Sequence, residues 1–162
     1  MKIGTFLCVY GYMAMASAKP FARGFLPSAS MTSMRAFWDA EGFLRVDQLL
    51  SGTEVAALRA IVTDLLSGKV AGSERHRYDL GCAGGSAAGG VENITQIMWP
   101  SDLHRGLAAL PLRQRLLDFV RALMGDPTMD IDYDMVVNKA PHTNTATKFH
   151  QDEAYGPVLE DK

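Results

Sequence analysis

Apolar residues recur at two different periods along this chain, and each period predicts its own elements. In VAALRAIVTDLL, residues Val55, Leu58, Ile61, Val62, Leu65 and Leu66 return at helical spacing, which predicts a helix with one apolar face. Ser51 with Glu54 three positions on makes the S-x-x-E pattern of a capping box, and Gly68 can supply the left-handed residue that closes the helix. Upstream, AFWDAEGFLRV reads as a short helix followed by a short apolar strand from Gly42 to Val46. Helical spacing returns in SDLHRGLAAL and in PLRQRLLDFVRALMGD, where Leu112, Leu116, Phe119, Val120 and Leu123 share a face between Pro111 and Gly125. The period then changes to two. In TMDIDYDMVVNK, Met129, Ile131, Tyr133, Met135 and Val137 point one way while Asp130, Asp132, Asp134 and Asn138 point the other, a strand with one buried face. APHTNT makes a turn, and TKFHQDEAY alternates again as a second strand. ENITQIMW is a further strand, ended by Pro100. Gly81, Gly84, Gly85, Gly89 and Gly90 crowd the segment before it. With no Gly-Lys-Ser/Thr after them they read as a surface loop and not a phosphate cradle.

Composition narrows the class. A chain of 162 residues, 48% hydrophobic and 21% charged, can bury one modest core. A net charge of -2 without any Lys/Arg cluster excludes a nucleic-acid surface, which needs concentrated positive charge. Cys8 and Cys82 form no metal-binding or disulfide spacing. Residues 1–38 hold Lys2, Lys19, Arg23 and Arg35 and no acid, so the acidic excess lies downstream. The basic start, the apolar run from Ile3 to Ala16 and the small residues Ala16 to Ala18 fit a cleavable signal. The Ser-rich, Arg-bearing stretch after them fits a transit segment. Residues 1–33 therefore read as a leader for the secretory route or an organelle, with a start at Met31 or Met34 and a cytoplasmic protein as the alternative. The apolar run is shorter than the roughly 20 residues a membrane span needs.

Candidate chemistry sits in KFHQDEAY. Residues i and i+2 of a strand project to one face about 6 to 7 Å apart, so His150 and Asp152 can converge on one ion. Imidazole plus carboxylate suits Fe(II), and a second histidine would complete a facial triad with three positions open. By spacing alone the pair is also that of an ordinary strand histidine, exposed or hydrogen-bonded. Asp130, Asp132 and Asp134 lack the Gly and terminal Glu of a calcium loop and read as a solvated strand face. His76 and His104 read as solvated, and His142 reads as a turn residue.

The run MVVNKAPHTNTATKFHQDEAY resembles the phytanoyl-CoA dioxygenase family, whose signature is a strand ending in Asn-Lys, a Pro-containing loop and His-Gln-Asp-x-x-Tyr. AFWDAEGFLRVDQLLS and ENITQI are similar to two further blocks of that family in the same order, so the resemblance spans residues 34–155. It implies an α+β fold, the N-terminal part of a double-stranded β-helix (jelly-roll) with helices packed outside it. It implies Fe(II) as cofactor, 2-oxoglutarate as co-substrate and hydroxylation of a small organic substrate. His150 and Asp152 match its first two metal ligands, and Gln96 and Met135 match positions lining the 2-oxoglutarate pocket. Met135 is equally placed for plain core packing, whereas a mid-strand amide at Gln96 needs a partner. The family's second histidine and its co-substrate arginine have no counterpart in the 162 residues, which leads us to expect a truncated chain. Two other functions stay open: a non-catalytic fragment or partner-binding half-domain, and a metal-dependent hydrolase with water at the open positions.

Overall fold

The computed structural model describes residues 24–81 and 92–141. The predicted second strand with His150 and Asp152, the turn residue His142, both cysteines, nearly all of the Gly-rich loop and residues 1–23 lie outside the described residues.

Helix α1, Met31–Glu41, ends where Gly42 turns left-handed with φ 74° and returns its N–H to the Trp38 carbonyl. The predicted strand at Gly42 to Val46 does not form. That segment makes a single parallel bridge, Phe25 to Val46, with Phe25 N–H on the Arg45 carbonyl at 2.9 Å and Asp47 N–H on the Phe25 carbonyl at 2.7 Å. Gly42 belongs to the helix cap, and Phe25 offers one residue of extended partner where a strand needs several. Residues 24–33, part of the stretch read as leader, thus carry Phe25 at 5% exposure and the first turn of α1.

Helix α2, Gly52–Leu66, starts with the predicted capping box. The Ser51 hydroxyl oxygen accepts from Glu54 N–H at 3.2 Å, and Glu54 accepts from Ser51 N–H at 2.9 Å. The Ser51 N–H and the Ser51 hydroxyl, both donating to the carboxylate at 2.9 Å, with Arg115 at 2.9 Å, hold the Glu54 carboxyl below its ordinary value. Leu58, Ile61 and Leu65 of its apolar face are buried, while Val55 is exposed. The Ser73–His76 turn of 3-10 helix leads into β1, Arg77–Asp79, a strand within what reads from sequence as loop. Strand β2, Ile94–Met98, follows the Gly-rich segment.

SDLHRGLAAL forms two single turns, α3 at Pro100–Leu103 and α4 at Arg105–Ala108, parted by His104 in an extended conformation. The His104 ring occupies the space beside Gly106, where a Cβ would lie 2.9 Å from Cε1. Its Nδ1 is buried without a hydrogen-bond partner, so His104 is half-buried where solvation was expected. Helix α5, Pro111–Met124, has proline in its first turn and left-handed Gly125 at its end, as predicted, and buries Leu112, Leu117 and Leu123.

Within the run from Met129 to Lys139 a strand forms over the last five residues, β3, Met135–Lys139, and Ile131 makes a single bridge. The three strands form one antiparallel sheet in the order β1-β2-β3. Register runs through Tyr78↔Gln96↔Val137 and Ile97↔Val136. The alternation of β3 is as predicted, but its faces are used differently: Val136 packs into the core and Val137 is 45% exposed. The reason lies in the partner strand, because Val136 sits opposite Ile97, whose side chain is fully buried against α2.

Two apolar clusters result. One joins Phe25 and Met34 to Leu123 across α1 and α5, with Phe37 edge-on to Phe25 at 5.4 Å. The other joins Ile61 and Leu65 of α2 to Ile97 of β2, with Leu103, Leu107, Leu110 and Val136 packed around them. Residues of α2, α3 and α4 thus pack on the sheet face that carries Ile97 and Val136.

Candidate functional site

Side chains alternate across a strand, so the register assigns one face to Tyr78, Ile94, Gln96, Met98, Met135, Val137 and Lys139 and the other to Arg77, Asp79, Thr95, Ile97, Val136 and Asn138. The first set forms a sheet face whose centre is the row Tyr78, Gln96, Val137. Tyr78 is 41% exposed and Val137 45%, with Gln96 half-buried between them.

Gln96 is the only amide on this face among the described residues, and its donor meets sulfur. Its Nε2 lies 3.2 Å from Met98 Sδ and 3.3 Å from Met135 Sδ. Thioethers are weak acceptors. The two donor hydrogens are therefore held in place at little free energy, and a carboxylate arriving at the face would take them in a stronger, charge-assisted bond. The structure thus brings together the two pocket residues read from sequence, Gln96 and Met135. Lys139, exposed at the end of β3, is the one permanent charge in the set, and its sign suits an anion.

At the end of β2 the chain leaves the sheet through Trp99, which takes a left-handed φ of 51° and ψ of 46°. That conformation is uncommon for a bulky residue and costs on the order of 1 kcal/mol. It is fixed from both sides: Trp99 N–H donates to the Asp134 carbonyl at 2.9 Å, and Pro100 opens α3 immediately after. The indole is 41% exposed, with the His76 ring edge-on at 5.5 Å. His76 is accordingly half-buried, whereas the sequence suggested a solvated residue.

The opposite face of β1 holds the strand rigidly. Asp79, 1% exposed, accepts backbone N–H bonds from Gly81 at 2.8 Å, Ile94 at 3.0 Å and Asn93 at 3.2 Å. Arg77 donates to both Glu92 carboxylate oxygens, at 2.7 and 2.8 Å, and to the Leu66 carbonyl at the end of α2 at 2.9 Å. Thr95 adds a hydroxyl at 2.6 Å. The Arg77 hydrogen bonds, ahead of the opposing effect of burial, hold the Glu92 carboxyl below the usual carboxylate range; the same bonds push the Arg77 guanidinium up.

Sequence reading missed β1 and with it Tyr78 and Asp79. A signal was there, since His76, Tyr78 and Leu80 alternate with Arg77 and Asp79, but three paired residues are too few to stand out from a polar loop. Of the aspartates read as a solvated face, Asp130 and Asp132 are exposed, while Asp134 is half-buried and bonded to the Ser101 hydroxyl. No group of three or more His, Cys, Asp or Glu able to hold a metal occurs among the described residues, and His150 and Asp152 lie outside them. No helix among the described residues is long and apolar enough to cross a membrane.

A small antiparallel sheet backed by helices, with a hydrogen-bond donor set in the middle of its open apolar face, is architecture suited to a small anionic ligand. The model of the phytanoyl-CoA dioxygenase family matches residues 38–161, and the chain belongs to that family. The match continues past Tyr155, where the sequence signature ends. Members are Fe(II)- and 2-oxoglutarate-dependent oxygenases of the cupin or jelly-roll fold. The described residues form a mixed helix and sheet structure with one three-stranded sheet. Neither the curated proteins nor the solved structures contain a match to the chain.

Proposed function

We propose that this chain contributes one wall of the co-substrate pocket, and two metal ligands, to an Fe(II)- and 2-oxoglutarate-dependent dioxygenase that hydroxylates a small organic substrate. The observation that carries the proposal is the Gln96 amide, central on its sheet face and bonded among the described residues to the sulfurs of Met98 and Met135. In this reading Gln96 donates to a carboxylate of 2-oxoglutarate, Met135 packs against the carbon chain, and Lys139 adds favourable potential. His150 and Asp152 hold the metal from one strand face. Fe(II) with 2-oxoglutarate and O₂ supplies the oxidising chemistry when bound. The residues around it orient the co-substrate and keep water from the reacting centre. A facial triad needs a third protein ligand, and the arginine that grips the far carboxylate is a separate requirement.

The test is oxygen-dependent succinate release by the native protein, compared with Asp152→Ala. Release that depends on Asp152 supports the proposal, and equal release from both proteins overturns it. Anaerobic Fe(II) titration against His150→Ala and Asp152→Ala checks the ligands separately; binding unchanged in both variants rejects that assignment. Removal of a leader after about Ala18 is compatible with this fold because it keeps Phe25, whereas a start at Met31 or Met34 deletes it. The intact mass of the native protein decides between these.

A further inference from the structure

The central row of the open face holds a second polar group that the sequence signature does not mark. Tyr78 is the direct cross-strand partner of Gln96. Paired residues of an antiparallel sheet carry their Cβ atoms about 4.5 to 5.5 Å apart on the same face. Side chains rooted side by side in this way can reach the same ligand carboxylate, the amide from nearer the sheet and the phenol from further out. The Tyr78 hydroxyl has no hydrogen-bond partner among the described residues, and the ring is 41% exposed.

An exposed tyrosine is ordinary on a surface, so the argument rests on how this one is held. Its two neighbours point to the opposite face and both are locked. Arg77 is bound to Glu92 and to the carboxyl end of α2, and Asp79 is bound by three backbone amides. A three-residue strand fixed at its first and last side chains leaves its middle residue little backbone freedom. The fold thereby presents Tyr78 beside Gln96 before any ligand arrives, which lowers the ordering cost of binding. Across the same row Val137 is 45% exposed and offers apolar contact to methylene carbons.

We propose that Tyr78 is a further co-substrate-binding residue, its phenol O–H donating to the same 2-oxoglutarate carboxylate that takes the Gln96 amide. The inference rests on the co-substrate reading of this face and adds a residue to it. It is tested on the native protein with Mn(II) as a redox-silent metal, by measuring 2-oxoglutarate dissociation constants in equilibrium dialysis for wild type, Tyr78→Phe, Gln96→Leu and the double variant. Tyr78→Phe should weaken binding about tenfold, the usual size for one hydrogen bond to a charged group, with no change in thermal midpoint. Because both donors grip one carboxylate, the double variant should lose less than the product of the two single losses. Wild-type affinity in Tyr78→Phe alongside weakened Gln96→Leu removes Tyr78 from the site and leaves the co-substrate reading standing. A double variant at the simple product overturns the shared carboxylate. Affinity untouched by either substitution overturns both the inference and the reading beneath it.

Discussion

The two faces of the three-stranded sheet are made by alternate residues of the same strands, yet their central rows differ sharply, although Ile94 at the margin of the open face is itself buried. On the helix side Ile97 is fully buried, Thr95 is 4% exposed and Val136 packs beside Leu65 and Ile61. On the open side Tyr78 and Val137 are more than 40% exposed, and the one central amide has only sulfur for company. One face satisfies the chain's own requirements for burial and hydrogen bonding. The other leaves capacity unspent, and unspent capacity on a preformed surface is where a ligand gains most. Burial and binding capacity thereby fall largely on alternate residues of each strand, so mutations should separate them too.

The largest effect is expected at Ile97→Ala. Truncating a fully buried side chain at the centre of the helix-side cluster should cost about 3 to 4 kcal/mol in urea unfolding, and ligand binding should fall only because the fold does. Next comes Arg77→Ala, which strands the Glu92 carboxylate and the last carbonyls of α2; a loss of about 2 kcal/mol is expected by the same measurement. The pH dependence of that pair has a definite sign. Because the folded-state pKa of Glu92 is depressed, its contribution is complete above the ordinary glutamate value of about 4.3 and is lost as pH falls through the lowered value. The gap in urea midpoint between wild type and Glu92→Gln should stay constant from about pH 5 to 7 and shrink once pH falls below the ordinary glutamate value, closing as the lowered folded-state value is passed. On the open face the pattern inverts. Gln96→Leu should change stability by less than about 0.5 kcal/mol while lowering 2-oxoglutarate affinity at least tenfold. Smallest of all, Val137→Thr keeps the β-branch at an exposed position and should shift the urea midpoint by no more than about 0.3 kcal/mol. If Gln96→Leu unfolded the chain, or Ile97→Ala were harmless, the division of labour between faces would be wrong.

What the sequence made legible was local. Ser51 with Glu54, Gly68, Pro111 and Gly125 each act within a few residues of themselves, and each does in the structure what its chemistry predicts. Strand β2 was visible in its own apolar run, and the resemblance singled out Gln96 and Met135 separately; their contact comes from the structure. Interactions set by distant partners were not visible. Asp79 reads as a polar loop residue until two amides from beyond the Gly-rich segment, Asn93 and Ile94, join that of nearby Gly81 on its carboxylate. Alternation from Met129 to Val137 showed which residues share a side of the chain, but which side turns inward was decided by Ile97, some forty positions away. The break at His104 depended on a ring fitting against Gly106, which no periodicity reports.

The Asp79 clamp has a consequence for how such a chain can change over time. Residues 80 and 94 are joined by a backbone hydrogen bond of 2.9 Å, and Asp79 and Arg77 fasten both sides of that junction from within the described structure. Strand register is therefore specified at the junction itself, independently of the number of residues between Gly81 and Glu92. Lengthening or shortening that stretch should be a near-neutral genetic event for the sheet, giving lineages a place to try new sequence without re-solving the fold, and protein engineers a natural point for inserting a tag or sensor.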